Sequence, residues 1–263
     1  MKRKHSSTRT LAGTSILLLA LAMVFAVAAT VAWFSIADTT RVYSMTMDVT
    51  TGNSLRFDTV AHEEFGDYKK TLSFNEIAES ILRTQGYDPR EVPLTPVTTR
   101  DCETFTFENG TVVERESGCY MEFVLHFIAA KDMFVHLTSE NSEGGQDGTR
   151  IGSQNPQMPQ AMRISFSAQE STSIYDPGRA AGGEKRPELG VNGKVFGLPS
   201  ADRMVYNDEN GLFSLKANQD LPVVVRIWLE GTDEACTDDL KGGDYTIRMR
   251  FEGTDEENNR FPQ

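Results

Sequence analysis

Histidine is scarce in this chain, with His62, His126 and His136 the only ones beyond the first ten residues. The sequence holds no His-Glu-x-x-His pair, no Gly-x-Ser-x-Gly elbow and no glycine loop of the phosphate-binding kind. These are the arrangements by which zinc peptidases, serine hydrolases and nucleotide-binding proteins act. His126 and His136 fall on successive apolar segments, where they are placed to meet across a sheet as half of a zinc site. Zinc needs three or four ligands in fixed geometry, and no third is visible, so two histidines on the polar faces of strands are the plainer expectation.

Carboxylates gather in two places. One is Asn207-Asp208-Glu209-Asn210-Gly211, and the other is Asp233 and Glu234 with Asp238 and Asp239 around Cys236. Crowded loop carboxylates can hold calcium outside a cell, but neither cluster has EF-hand spacing. Solvated turns are the default reading, with Asp233, Glu234, Asp238 and Asp239 the candidates for calcium. No catalytic residue and no cofactor is assigned.

Cys102 and Cys119 bracket TFTFENGTVVER, whose Asn109-Gly110 pair is a strong hairpin signal. A two-residue turn would set Phe107 opposite Val112 and Cys102 opposite Ser117. Cys119 would then be offset by two residues, a gap one bulge could absorb, so a Cys102–Cys119 disulfide is expected, with free buried thiols as the alternative. Cys236 is left without a partner. Asn109-Gly110-Thr111 also reads as a glycosylation triplet but is taken here as turn chemistry.

The elements that must carry these residues are mostly strands. Met45, Met47 and Val49 alternate with polar neighbours over Ser44–Thr50 as a half-buried strand, with Leu55-Arg56-Phe57 expected to return as its hairpin partner. Ser73 and Glu76 form a capping box for one helix that buries Phe74, Ile77, Ala78 and Ile81 and stops at Gly86. Tyr120–Leu137 reads as two successive inner strands or one long bent strand, broken at Ala129–Asp132. Residues 139–160 and 176–190 are polar and rich in glycine, as loops are. Met162–Phe166, Leu212–Leu215, Val223–Leu229 and Tyr245–Phe251 complete the strands, and Val223–Leu229 has the unbroken apolar character of a central one. A mainly β sandwich with one short helix follows.

The chain has 263 residues and a formal net charge of −12. Every charge before residue 33 is a cation (Lys2, Arg3, Lys4 and Arg9), so the remainder sets 22 basic against 38 acidic residues, a balance of −16. Such a surface repels nucleic acid and anionic lipid. Residues 11–34 are uncharged for 24 positions, roughly 36 Å as a helix and enough to span a bilayer. The flanking cations orient the N-terminus to the cytoplasm and the rest to the outer face. The expected organisation is a basic region at 1–10, a signal peptide or transmembrane anchor at 11–34, a single extracellular domain at 38–257 and a tail at 258–263. Small residues allow signal peptidase to cut at Ala26-Val27-Ala28 or at Thr30-Val31-Ala32, and length leaves cleavage and retention both open.

AATVAWFSIADTTRVYSMTMDVTTGNSL resembles the export segment and first strand of the TasA and camelysin group of secreted Gram-positive proteins. Met121–Leu137 and VRIWLEGTDEACTDDLKGG resemble uncharacterised surface proteins of Firmicutes. With the closing strand that follows the last of them, the three blocks cover about a quarter of the chain. The resemblance implies a jelly-roll sandwich, cleavage between Ala32 and Trp33, and, in some members, matrix fibres in which a freed N-terminal strand completes the next subunit. Camelysin members imply metallopeptidase activity, for which this chain lacks the ligands. The functional expectation is an exported, non-enzymatic surface or matrix protein that assembles with itself or its relatives. A membrane-anchored module holding a ligand in its loops is the alternative, and a hydrolase comes last.

Overall fold

In a computed structural model the chain is described over residues 41–261, apart from 51, 53, 143, 144, 241 and 242, together with Leu18, Leu19 and Met23. The export segment and its Ala32–Trp33 cleavage point otherwise lie outside the described residues. Among the described residues, no helix is long and apolar enough to cross a membrane.

Fifteen strands follow one another among the described residues: β1 (Val42–Val49), β2 (Leu55–Asp58), β3 (Thr71–Ser73), β4 (Thr98–Thr99), β5 (Phe105–Thr106), β6 (Met121–Ala129), β7 (Met133–Leu137), β8 (Arg150–Ser153), β9 (Met162–Ala168), β10 (Ser171–Tyr175), β11 (Gly182–Lys185), β12 (Lys194–Gly197), β13 (Gly211–Leu215), β14 (Leu221–Leu229) and β15 (Tyr245–Thr254). Helix α1 (Phe74–Gln85) lies between β3 and β4, and a single turn, α2 (Met158–Ala161), precedes β9. One sheet runs β13-β7-β15-β1-β3, with β8 also paired to β15, and a second runs β11-β12-β10-β9-β14-β6-β2. The small pair β4-β5 stands apart from both. The fold is mainly β, as the alternating apolar segments predict.

Alternation explains the layering. Along β15 the side chains of Tyr245, Ile247, Met249 and Phe251 are buried and Thr246, Arg248 and Arg250 are partly exposed, so one face of the first sheet seeks an apolar partner. The inner face of the second sheet provides it. Phe127 of β6 lies with its ring 5.4 Å from Phe57 of its own sheet, and 5.1 and 5.0 Å from Phe251 and Phe213 of the other. These edge-on and tilted contacts join the two sheets through one core.

Helix α1 forms as its signals demand. The Glu76 carboxylate accepts hydrogen bonds from the Ser73 backbone N–H at 2.8 Å and from its hydroxyl at 2.7 Å. Gly86 closes the helix in the left-handed region at φ 81 and donates its N–H to Leu82 O. Phe74, Ile77, Ala78 and Ile81 are all buried.

One pairing and two expected loops differ from the sequence reading, while Tyr120–Leu137 takes the first of its two expected forms. β1 does not form a hairpin with β2: it lies parallel to β15 and antiparallel to β3, while β2 pairs with β6. Alternation fixes which face a residue takes but not which strand lies alongside. β6 and β7 are separate strands in different sheets, so the break at 130–132 is where the chain crosses the sandwich. Within the two expected loops, residues 150–153 add β8 to the edge of β15, and residues 182–185 form β11.

The Cys102–Cys119 bridge expected from sequence is not formed in the structure, where Cys102, Cys119 and Cys236 are each unbridged. The hairpin register is Thr106 opposite Val112, not Phe107 opposite Val112, and β5 pairs on its other side with β4. Cys102 therefore lies in the tight β4–β5 turn at φ 61, its N–H bonded to Thr99 Oγ1, and not on a ladder leading toward residue 117. The residues before Cys119 form a one-turn helix at Arg115–Ser117.

Candidate functional site

The outer face of the second sheet is not left to solvent. Along β14, Val223, Val225, Ile227 and Leu229 point into the main core, yet Trp228, on the opposite face, is only 1% exposed. The segment from Val97 to Val113 folds over it as an arm. Val97 donates its N–H to Leu229 O and accepts from Gly231 N–H, both at 3.0 Å, which ties the arm's root to the end of β14. Phe105 then stacks on Tyr120 at 4.0 Å and meets Trp228 edge-on at 5.4 Å. With Ile174, Leu189, Val195 and Cys102, these form a second apolar cluster separate from the main core.

Beside this cluster the arm and the sheet enclose an open groove of about 940 Å³. Arg163 of β9 lies in it, its side chain 12% exposed, with Nη1 3.2 Å from Asp176 Oδ1 and Nη2 bonded to Asp233 Oδ2. Burial raises the Asp176 carboxyl above the usual range, against the opposing pull of Arg163. Glu230 is held as firmly, accepting from Trp228 Nε1 at 3.0 Å and from Thr232 Oγ1 at 2.7 Å. On the rim, Arg179 pairs with Glu184 and Arg186 with Glu188. Asp101 caps the β4–β5 turn by accepting from the backbone N–H groups of Glu103 and Thr104.

The lining contains no histidine, serine, cysteine or lysine. Four of its five carboxylates, Asp101, Asp176, Glu230 and Asp233, are already bonded to arginines, amides or hydroxyls. What the groove offers is paired donors and acceptors at fixed positions. These residues come from segments far apart in the chain. The one signal in the sequence that pointed to them is Trp228, a large apolar residue on the strand face that should have been polar.

The residues singled out from sequence are placed elsewhere. His126 and His136 do not meet, because they lie in different sheets. His136 is 1% exposed, bonded through Nδ1 to Asn210 Oδ1 and through Nε2 to the Thr254 hydroxyl, each at 2.9 Å. The Asn210 oxygen can only accept, so Nδ1 carries a proton, and the Thr254 hydroxyl can donate to Nε2 of the neutral ring. Burial pulls its pKa down to about 4. The Asn207–Gly211 cluster is thus a turn that holds this imidazole: Asn207 Oδ1 accepts from the N–H groups of Glu209 and Asn210.

His126 instead accompanies Asp220 at 2.8 Å, and His62 accompanies Asp58 at 3.0 Å. Tyr68 links the two pairs, donating to Asp220 at 2.8 Å while accepting from the His62 N–H. Of the calcium candidates, Asp233 is engaged by Arg163, and Glu234, Asp238 and Asp239 are exposed. Among the described residues, no three His, Cys, Asp or Glu side chains converge as metal ligands.

No family profile, curated protein or solved structure matches the chain.

Proposed function

We propose that the chain is an exported, non-enzymatic surface protein whose β domain holds a ligand in the groove beneath the Val97–Val113 arm. The observation that carries this reading is the groove itself: about 940 Å³ of open space, lined by side chains that hydrogen bonding has already fixed. Pre-set polar groups in a concavity of this size suit recognition. The uncharged segment 11–34 and its basic flank support delivery to the outer face. The resemblance to the TasA and camelysin group supports the same location, a jelly-roll ordering of the two sheets and cleavage at Ala32–Trp33.

The test is made on cells. Protease applied to intact cells should remove the domain, and exported protein should re-adsorb to cells stripped of it. Thr232→Trp, which fills the groove, should abolish that re-adsorption. Protection from protease until the cells are lysed would sink the export reading, and unchanged re-adsorption of the variant would sink the groove.

A second reading, a matrix subunit that assembles by strand addition, is favoured by β1. That strand is terminal in the domain and bonded to β15 over nearly its whole length, so its displacement would open a long edge to a neighbour's β1. Fibres of the mature protein under the electron microscope would support it, and a monomer at high concentration would exclude it.

A further inference from the structure

The ligand's chemistry can be argued from how the groove continues past the arm. A second concavity of about 420 Å³ lies beyond it, and the two share Thr98, Phe107, Glu108 and Thr232. Phe107 is only half-buried, so its ring stands at the boundary between them. The backbone that carries it is fixed, with the Phe107 N–H donating to Thr111 O at 2.9 Å, its carbonyl accepting from Gly110 N–H at 2.8 Å and Gly110 at φ 81 closing the turn, and the side chain packs against the second cluster. A half-exposed aromatic ring between a polar groove and a smaller, more apolar concavity is a platform on which something flat can stack.

Charge narrows the choice. In a strongly acidic chain the groove brings together four arginines, but five carboxylates line it as well. Arg163 is neutralised by Asp176 and Asp233, Arg179 by Glu184 and Arg186 by Glu188. With Glu184 and Glu188 counted, four arginines face seven carboxylates, so a polyanion is repelled, and the paired arginines serve as hydrogen-bond donors more than as free charges. Guanidinium–carboxylate pairs present donors next to acceptors, which matches neighbouring hydroxyls that each donate and accept. Thr98, Thr106 and Thr232 add hydroxyls of their own.

A peptide fits less well. β4 and β5 pair with each other, and Val97 and Thr106 are further bridged to Glu230 and Val112, so the strands that border the groove already have partners where a peptide strand would add. The apolar side chains that might receive peptide anchors are covered by the arm itself.

We propose that the groove and the adjoining concavity form one site for an uncharged polysaccharide chain, which crosses the arm by stacking a sugar ring on Phe107. This deepens the groove-binding reading above and rests on it, but does not depend on where the protein resides. The exported protein is titrated with neutral hexamers of glucose, mannose, galactose and N-acetylglucosamine, with the corresponding dimers, with hexagalacturonate and with an unstructured polar peptide.

At least one neutral hexamer should bind, and about tenfold or more tighter than its dimer, because only the hexamer reaches both concavities. Phe107→Ala should weaken it by about tenfold, the loss of one stacking contact, and Phe107→Trp should preserve it. Unchanged melting of both variants would show that the fold is intact. Failure of all four hexamers at millimolar concentration, equal binding by Phe107→Ala, or tighter binding of hexagalacturonate or of the peptide would each overturn the proposal. If no sugar binds while re-adsorption to stripped cells remains sensitive to Thr232→Trp, the polysaccharide falls and the groove stands as a site of other chemistry.

Discussion

His136 is a buried base that the fold keeps neutral, and this sets a pH dependence. Its pKa is about 4 in the folded protein and 6.5 in the unfolded chain. Above 6.5 neither state is protonated, and the residue gives no slope. Between 6.5 and 4 the unfolded state binds the extra proton, so stability falls as pH falls, by on the order of 3 kcal/mol across the window. Urea midpoints measured from pH 7 to pH 4 should show this decline, and His136→Gln should flatten it. The thiols form a second residue-scale case. Burial pushes the Cys102 thiol up to about 12, and Cys102 is buried whereas Cys119 and Cys236 are half-exposed. A thiol reagent should therefore label Cys119 and Cys236 in the native protein while Cys102 waits for unfolding. A linked pair found by mass spectrometry of the exported protein would restore the bridge.

At the scale of elements, α1 shows what local sequence can determine. Ser73, Glu76 and Gly86 were legible because capping is written within a few residues. Replacing Glu76 by Ala should cost about 1 kcal/mol, and Gly86→Ala a similar amount because its φ is positive, both read from thermal melting. Strand partners were not legible in the same way. The alternation of Met45 and Met47 announced a buried face correctly, but their neighbours Ile247 and Met249 lie about two hundred residues away, and no local signal encodes them. The groove was illegible for the same reason. Thr98, Arg163, Asp176 and Asp233 have no shared motif, and only the folding of the arm over Trp228 brings them together. The acidic clusters misled in the opposite direction, since loop carboxylates look alike in sequence whether they face solvent, an arginine or a cation. With Asp233 already bonded to Arg163, added calcium should leave the melting temperature of the domain unchanged. A rise with calcium would show that the exposed carboxylates rearrange around an ion.

Seen as a whole, residues 40–263 make one unit with two apolar centres, the large one between the sheets and the smaller one outside, under the arm. The smaller centre is built around three large side chains, Trp228, Phe105 and Tyr120, with smaller apolar residues packed about them. Phe105→Ala should therefore loosen the arm and abolish groove binding at a cost of about 3 kcal/mol. Hydrogen exchange should show faster exchange over residues 97–113 while the core of the sandwich stays protected.

The parallel seam between β1 and β15 has one more consequence. Val42 finds its neighbour at Tyr245, so although β1 can pair early with β3, its longer seam has nothing to zip against until β15 has appeared. Contacts this distant along the chain form slowly. A prematurely terminated chain would leave Met45 and Met47 bare on an unfinished sheet, a sticky fragment for quality control to clear rather than a smaller working protein.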